Sequence, residues 1–156
     1  MNYISLIEEL KKRGSVPGLD AIEGLLEELG HPEDNLKVVH IAGTNGKGSI
    51  FAYLSSILIA AGFKVGRYIS PTISCYEERF QINGEYITKD ELARLYNIVE
   101  EAMKREEEKT GLKPTLFEVE TAISFLYFKE EKVDYALIEV GMGGRMDVTN
   151  VIRHPE

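Results

Sequence analysis

The sequence Ala-Gly-Thr-Asn-Gly-Lys-Gly-Ser at residues 42–49 is a glycine-rich loop with one lysine, and it separates two apolar segments of different period. Residues 36–41 before it are rich in β-branched side chains and predict a buried strand. After it, apolar residues recur at helical spacing as far as Gly62, which predicts a helix ending there. A loop between a strand and a helix directs backbone N–H groups and the positive end of the helix dipole at one point. The stretch therefore predicts a phosphate-binding loop, with the lysine as a mobile positive charge.

This loop departs from the two common phosphate-binding patterns. The Walker A pattern requires a glycine where this chain has Ile41, and here a further glycine separates Lys47 from Ser49. The dinucleotide pattern fails because Phe51 and Met146 stand where a third glycine is required. The loop is thus a variant form, and an ordinary glycine-rich turn between a strand and a helix stays open as the alternative.

Composition limits the class of protein. The chain has 156 residues, enough for one domain, and 44% hydrophobic residues, enough for a core. A net charge of −8 argues against a nucleic-acid partner, although a local dipole and one lysine can still bind a nucleotide. A single cysteine, Cys75, excludes an internal disulfide, and no apolar run approaches membrane-spanning length. We therefore expect a cytoplasmic protein with no membrane contact.

Helices and strands alternate along the rest of the chain. Amphipathic patterns predict two short helices over residues 2–13 and 18–29, and strands over 64–69 and 135–140. Asn83-Gly84 between two short apolar runs predicts a β-hairpin. Capping patterns at Thr88 and Thr115 predict the starts of two further helices, the second apolar nearly all round and so buried. The charged stretch 104–109 at the end of the first of these is predicted to be a solvated face. This order of elements predicts an α/β fold with a parallel sheet flanked by helices and a small hairpin insertion.

Polar residues follow the predicted strands at the same end. In parallel sheets, ligands collect at the carboxyl ends of the strands. The glycine loop follows the first strand, Ser70 follows the second, and Glu139 lies near the end of the third. A carboxylate placed beside a phosphate loop is a common ligand of Mg²⁺. The sequence therefore predicts that three distant segments form one nucleotide and magnesium site.

Glycines and charges also follow the third strand. Residues 141–150 contain three glycines with Arg145 and Asp147, which suits another close backbone approach, although these two charges could form a simple loop ion pair. Of the histidines, His40 lies inside a strand and is predicted to pack in the core, whereas His31 and His154 are predicted to lie in loops.

Several motifs together resemble a known family. The chain is similar to the folylpolyglutamate synthase/dihydrofolate synthase family of the Mur ligase superfamily, from about Gly18 to its end. The motifs that carry the resemblance are residues 43–49, Tyr68 to Pro71, Glu78-Arg79, Phe117-Glu118 with Thr121, and residues 139–150. The resemblance implies a Mur-ligase-like ATP-binding domain of the P-loop type.

The resemblance also implies an activity. Members of the family are ATP-dependent ligases that convert a folate or dihydropteroate carboxylate to an acyl phosphate, which the amino group of L-glutamate then attacks. By similarity, Lys47 would contact the β- and γ-phosphates and act in catalysis, and Mg²⁺ would be bound by Glu139 and Ser70. The residues that would bind the nucleotide are Thr44, Asn45, Gly46, Lys47, Gly48 and Ser49.

The chain differs from the family in two respects. Thr72 replaces the histidine that many relatives carry, and Asp20-Ala21 replaces a usual Glu-Arg, which leaves the pterin preference open. Family members are also more than twice as long, so we expect residues 1–156 to be the N-terminal part of the ATP-binding domain, without the C-terminal ligase domain and inactive alone. A self-standing nucleotide-binding module and another Mur-type amino-acid ligase stay open as alternatives, and the sequence does not fix the oligomeric state.

Overall fold

The computed structural model describes residues 2–14, 18–41 and 46–139. Within these ranges, five α-helices and five strands alternate largely as the sequence predicts. None of these helices is long and apolar enough to cross a membrane. The helices are α1 (Tyr3–Lys11), α2 (Asp20–Glu28), α3 (Lys47–Ala60), α4 (Lys89–Thr110) and α5 (Leu116–Glu130). The strands are β1 (Val38–Ile41), β2 (Val65–Tyr68), β3 (Phe80–Ile82), β4 (Glu85–Tyr86) and β5 (Tyr135–Glu139).

The described strands form one mixed sheet in the order β1-β5-β2-β3-β4. β5 lies between β1 and β2 and is parallel to both, with Val38 opposite Ala136 and Val65 opposite Tyr135. The prediction of a parallel sheet is confirmed for these three strands. The predicted hairpin is also present, but it extends the sheet as an antiparallel edge rather than standing apart from it.

Asn83 explains why the hairpin joins the sheet. Asn83 and Gly84 have φ angles of 50° and 81°, as a type I′ turn requires. The side-chain oxygen of Asn83 accepts a hydrogen bond from the N–H of Val65 at 2.8 Å, and its own N–H donates to the carbonyl of Val65 at 2.9 Å. The turn is therefore attached to the first residue of β2.

Helices cover both faces of the sheet. Alternate strand residues face either α3 or the four other helices, because successive side chains of a strand point to opposite faces. Phe51 of α3 packs on Ile41, Val65 and Leu137. The larger core lies on the opposite face, where α5 is buried from Glu118 to Phe128, as its apolar pattern predicts.

The charged end of α4 differs from its prediction. Glu106 is only 2% exposed, so the prediction of a solvated face over 104–109 is wrong at this residue. Gly24 of α2 is the cause, since a Cβ atom at Gly24 would collide with the carboxylate of Glu106. The missing side chain lets the two helices approach and encloses the glutamate between them.

Candidate functional site

Ser70 and Glu139 meet at the carboxyl ends of neighbouring strands. Glu139 is the last residue of β5, and Ser70 follows β2 by two residues. The backbone N–H of Ser70 donates a hydrogen bond to Oε2 of Glu139 at 3.1 Å. Glu139 is half-buried and lies opposite Ile41, the last residue of β1. We call this end of β1, β5 and β2 the carboxyl edge; it brings two of the sequence-predicted residues into contact.

Glu139 lies on the face of the sheet that α3 covers. Leu137, two residues earlier in β5, packs against Phe51 in the first turns of α3. Because strand side chains alternate, Glu139 occupies the same face as Leu137. The carboxylate and the start of α3 are therefore on the same side of the sheet.

The N-terminus of α3 is open to an anion. Gly46 precedes the helix with a φ of 80°, and among the described residues neither a capping side chain nor an acidic residue of the first turn compensates the positive end of the dipole. Gly48 and Ser49 are exposed, and a Cβ atom at Gly48 would have no neighbour within 4 Å. A phosphate could thus approach the backbone closely at this point.

Other sequence-predicted residues lie outside the described ranges. They are Thr44, Asn45, Arg145, Asp147 and His154, together with the side chain of Lys47. Of the remaining histidines, His40 lies half-buried within β1, and His31 precedes the short helical turn Pro32–Asn35.

Arg67 is a charged residue near the carboxyl edge that sequence reasoning missed. Its guanidinium carbon lies 5.6 Å from the centroid of the Phe51 ring, beneath α3. Burial lowers the pKa of Arg67, whereas the negative charges of Glu139 and Glu78 oppose that change. The available signal was strand alternation. Val65 faces α3, so residue 67, two positions later, lies on the same face, which Glu139 also occupies.

The segment after Ser70 is held in place by Glu78. One carboxylate oxygen of Glu78 accepts hydrogen bonds from the N–H of Ile73 at 2.9 Å, and from the N–H and the hydroxyl of Ser74 at 2.8 and 3.0 Å. The N–H of Ile69 also donates to the carbonyl of Arg79 at 3.1 Å. Both residues of the Glu78-Arg79 motif therefore fix the loop that carries Ser70.

The carboxyl edge fits magnesium and a polyphosphate chemically. Mg²⁺ binds oxygen ligands, of which Glu139 offers a carboxylate and Ser70 a hydroxyl. The exposed start of α3 offers N–H groups in an uncompensated helix dipole. The fold and this edge define an α/β domain with polar groups gathered at the carboxyl ends of its parallel strands.

Comparison with known proteins gives the family. The chain is 43% identical over 142 residues to the dihydrofolate synthase/folylpolyglutamate synthase of Bacillus subtilis, a match that covers 90% of this chain and 33% of that protein. No protein-family model matches the chain. The chain belongs to the folylpolyglutamate synthase/dihydrofolate synthase family and spans about a third of the length of the relatives it matches.

Solved structures agree with the sequence comparison. The folylpolyglutamate synthase of Thermotoga maritima is 42% identical with a TM-score of 0.89, and the match covers 98% of this chain and 36% of that one. A complex of a folylpolyglutamate synthase with AMPPCP and folate is 36% identical with a TM-score of 0.90, over 97% of this chain and 38% of that one. The α/β fold inferred from sequence is thereby confirmed.

Proposed function

We propose that this chain supplies the ATP- and magnesium-binding part of a ligase that joins L-glutamate to the carboxylate of a folate or dihydropteroate. The hydrogen bond between Ser70 and Glu139 carries the proposal, because it joins both candidate magnesium ligands at the carboxyl edge. The relative that binds AMPPCP and folate supports the assignment of nucleotide and pterin substrates.

The phosphates of ATP would bind at the start of α3. Lys47 would contact the β- and γ-phosphates and neutralise charge that develops during transfer. Backbone N–H groups of the loop and of the first helical turn would surround the same phosphates. The residues assigned to the nucleotide are Thr44, Asn45, Gly46, Lys47, Gly48 and Ser49.

Glu139 and Ser70 would hold Mg²⁺ beside these phosphates. When bound, the ion neutralises charge on the phosphate oxygens. Glu139 is half-buried, which limits competition from water for its carboxylate. The N–H of Ser70 orients one oxygen of that carboxylate.

The reaction would then proceed in two balanced steps. A carboxylate oxygen of the folate attacks the γ-phosphorus of ATP, the bond to ADP breaks, and an acyl phosphate forms. The amino group of glutamate attacks the acyl carbon, inorganic phosphate leaves, and the nitrogen loses a proton as the amide forms. In both steps this part of the protein positions the phosphates and balances their charge.

Calorimetric titration of the chain with ATP, with and without Mg²⁺, tests the assignment. We expect Lys47→Ala to weaken binding at least about tenfold, since a charge-assisted contact to phosphate is lost. Glu139→Gln should remove the magnesium-dependent part of the affinity only. The exposed residues Lys104 and Glu85 provide the matched controls Lys104→Ala and Glu85→Gln. Magnesium-dependent ATP binding that survives Glu139→Gln unchanged would contradict the proposal.

ADP release by a protein of full family length tests the ligase activity. We expect release to require a pteroate or tetrahydrofolate together with glutamate, and to be lost in Lys47→Ala. Release that depends on neither acceptor would favour a nucleotide-binding module of another function. Release that depends on a cell-wall precursor would favour another Mur-type ligase.

A further inference from the structure

A second polar cluster lies on the turn that follows α2. His31, Glu33 and Asp34 each offer a ligand atom, and these three atoms all lie within 4.8 Å of one another. Nδ1 of His31 lies 3.0 Å from Oε1 of Glu33. Neither the phosphate loop nor the carboxyl edge includes any of these residues, so the cluster is independent of the proposed ligase function.

The cluster borders a cavity of about 440 Å³ between α2, the turn and α4, which we call the α2–α4 cavity. No lysine or arginine lines it within the described ranges, and Lys109 nearby lies 3.7 Å from Glu27. The negative charges therefore outnumber the positive ones. The carboxylates that line the cavity are those of Asp20, Glu23, Glu27, Glu33 and Glu106.

Two carboxylate oxygens of the α2–α4 cavity lack a partner. Glu33 and Glu106 are 9% and 2% exposed, and Oε2 of each has no hydrogen-bond partner among the described residues. Their other oxygens are engaged, by His31 at 3.0 Å and by the hydroxyl of Thr110 at 2.9 Å. A buried carboxylate oxygen without a hydrogen-bond partner destabilises the fold, because the oxygen has lost its contact with water and gained none in return. The contact with His31 therefore satisfies only one of the two oxygens of the Glu33 carboxylate.

A bound cation would supply the missing partner. A metal ion contacts a carboxylate oxygen at about 2.1 Å, whereas a water molecule stays at about 2.8 Å, so packing that excludes water can still admit an ion. One imidazole nitrogen with two carboxylate oxygens is a ligand set typical of divalent transition metals. Two carboxylates also balance the charge of such an ion.

We propose that His31, Glu33 and Asp34 bind a divalent transition-metal ion, with the buried carboxylate of Glu106 adding negative potential from α4. The ion joins the turn after α2 to the cavity wall. Remaining coordination positions are filled by water on the exposed side of His31 and Asp34, since both residues are accessible to solvent.

Equilibrium dialysis of the chain against ZnCl₂ without nucleotide tests the site. The background chain carries Cys75→Ser and Glu139→Gln, because the exposed thiol and the carboxyl edge could bind Zn²⁺ themselves. We expect this background to bind one Zn²⁺ more than the same chain with His31→Gln. Glu33→Gln should weaken the same binding at least about tenfold, since losing a ligand costs at least as much as losing an outer partner.

Two controls separate ligation from folding. Asp20→Asn removes a carboxylate that lines the cavity but is not a ligand, so it should change the affinity less than about threefold. The His31 side chain is 42% exposed, so His31→Gln should preserve the far-UV circular dichroism spectrum. A Zn²⁺-induced rise in Tm that His31→Gln abolishes supports the proposal. Equal Zn²⁺ binding by the background and the His31→Gln chain overturns it, as does binding that Glu33→Gln leaves unchanged.

Discussion

Arg79 and Glu120 form an ion pair inside the protein, with 3.4 Å between Nε and Oε1 and with side chains that are 13% and 4% exposed. The hydroxyl of Tyr76 donates to the same Glu120 oxygen at 2.7 Å and lies 2.5 Å from the hydroxyl of Tyr96. Burial raises the pKa of Glu120, and the charge of Arg79 opposes that rise. Together these contacts join the segment behind Ser70 to the middle of α5.

Replacing Glu120 should strongly destabilise the fold. Glu120→Ala leaves the guanidinium of Arg79 buried without its partner, so we expect a loss of about 3–5 kcal/mol in the free energy of unfolding. Glu120→Gln should cost less, because its amide oxygen can still accept from Tyr76. Urea unfolding measures both, with the exposed Glu101→Ala as the control. A loss below about 1 kcal/mol for Glu120→Ala would show that the pair contributes little.

Gly66 leaves no room for a side chain. A Cβ atom there would lie 2.6 Å from Cδ1 of Phe128, which is fully buried. We expect Gly66→Ala to destabilise the protein by about 1–3 kcal/mol through overpacking. Thermal unfolding should show a partial recovery when Phe128→Leu is added to Gly66→Ala. Strictly additive effects of the two changes would be inconsistent with this contact.

Gly48 offers the contrasting case, because a Cβ atom there would enter open space. Alanine suits a helix better than glycine by about 1 kcal/mol, so Gly48→Ala should leave the Tm unchanged or raise it. The added methyl would instead obstruct the approach of phosphate to the start of α3. We expect ATP affinity to fall at least about tenfold, and an unchanged affinity would argue against a phosphate at this position.

Glu78 should make stability sensitive to acid. The N–H groups of Ser74 and then Ile73 are the main hydrogen-bond donors that lower the pKa of Glu78 from its ordinary value of 4.5. A folded-state pKa below the unfolded one gives stability that is present above about pH 4.5 and is lost as the pH falls through the lowered value. NMR titration should report a pKa below 4.5 that Ser74→Ala raises only in part, since the backbone donors remain. A Glu78 pKa at or above its ordinary value would refute these contacts.

Much of the fold could be predicted because local patterns and tertiary packing agree. The apolar period of α5 and the Asn83-Gly84 turn both specify local structure that the core then retains. The meeting of Ser70 with Glu139 was predictable because parallel strands end at the same edge.

What the sequence did not predict depends on contacts between distant elements. Glu106 lies in a charged stretch that predicts a solvent-exposed face, and it is buried only because α2 approaches closely at Gly24. The attachment of the hairpin to β2 depends on Asn83 reaching Val65, a pairing that no local pattern specifies. Strand alternation gives the face on which Arg67 lies, but its contact with the Phe51 ring beneath α3 depends on how the helix packs on the sheet.

The strand order has a consequence for synthesis on the ribosome. In the described sheet β1 pairs only with β5, and Val38 lies opposite Ala136, nearly a hundred positions later in the chain. The hairpin and β2 can pair as soon as they emerge from the ribosome. The backbone groups of β1 have no strand partner until β5 has been synthesised. The same difference in sequence separation acts when the complete chain refolds. Pulse-labelled hydrogen exchange during refolding should therefore show the amides of β1 protected after those of β3.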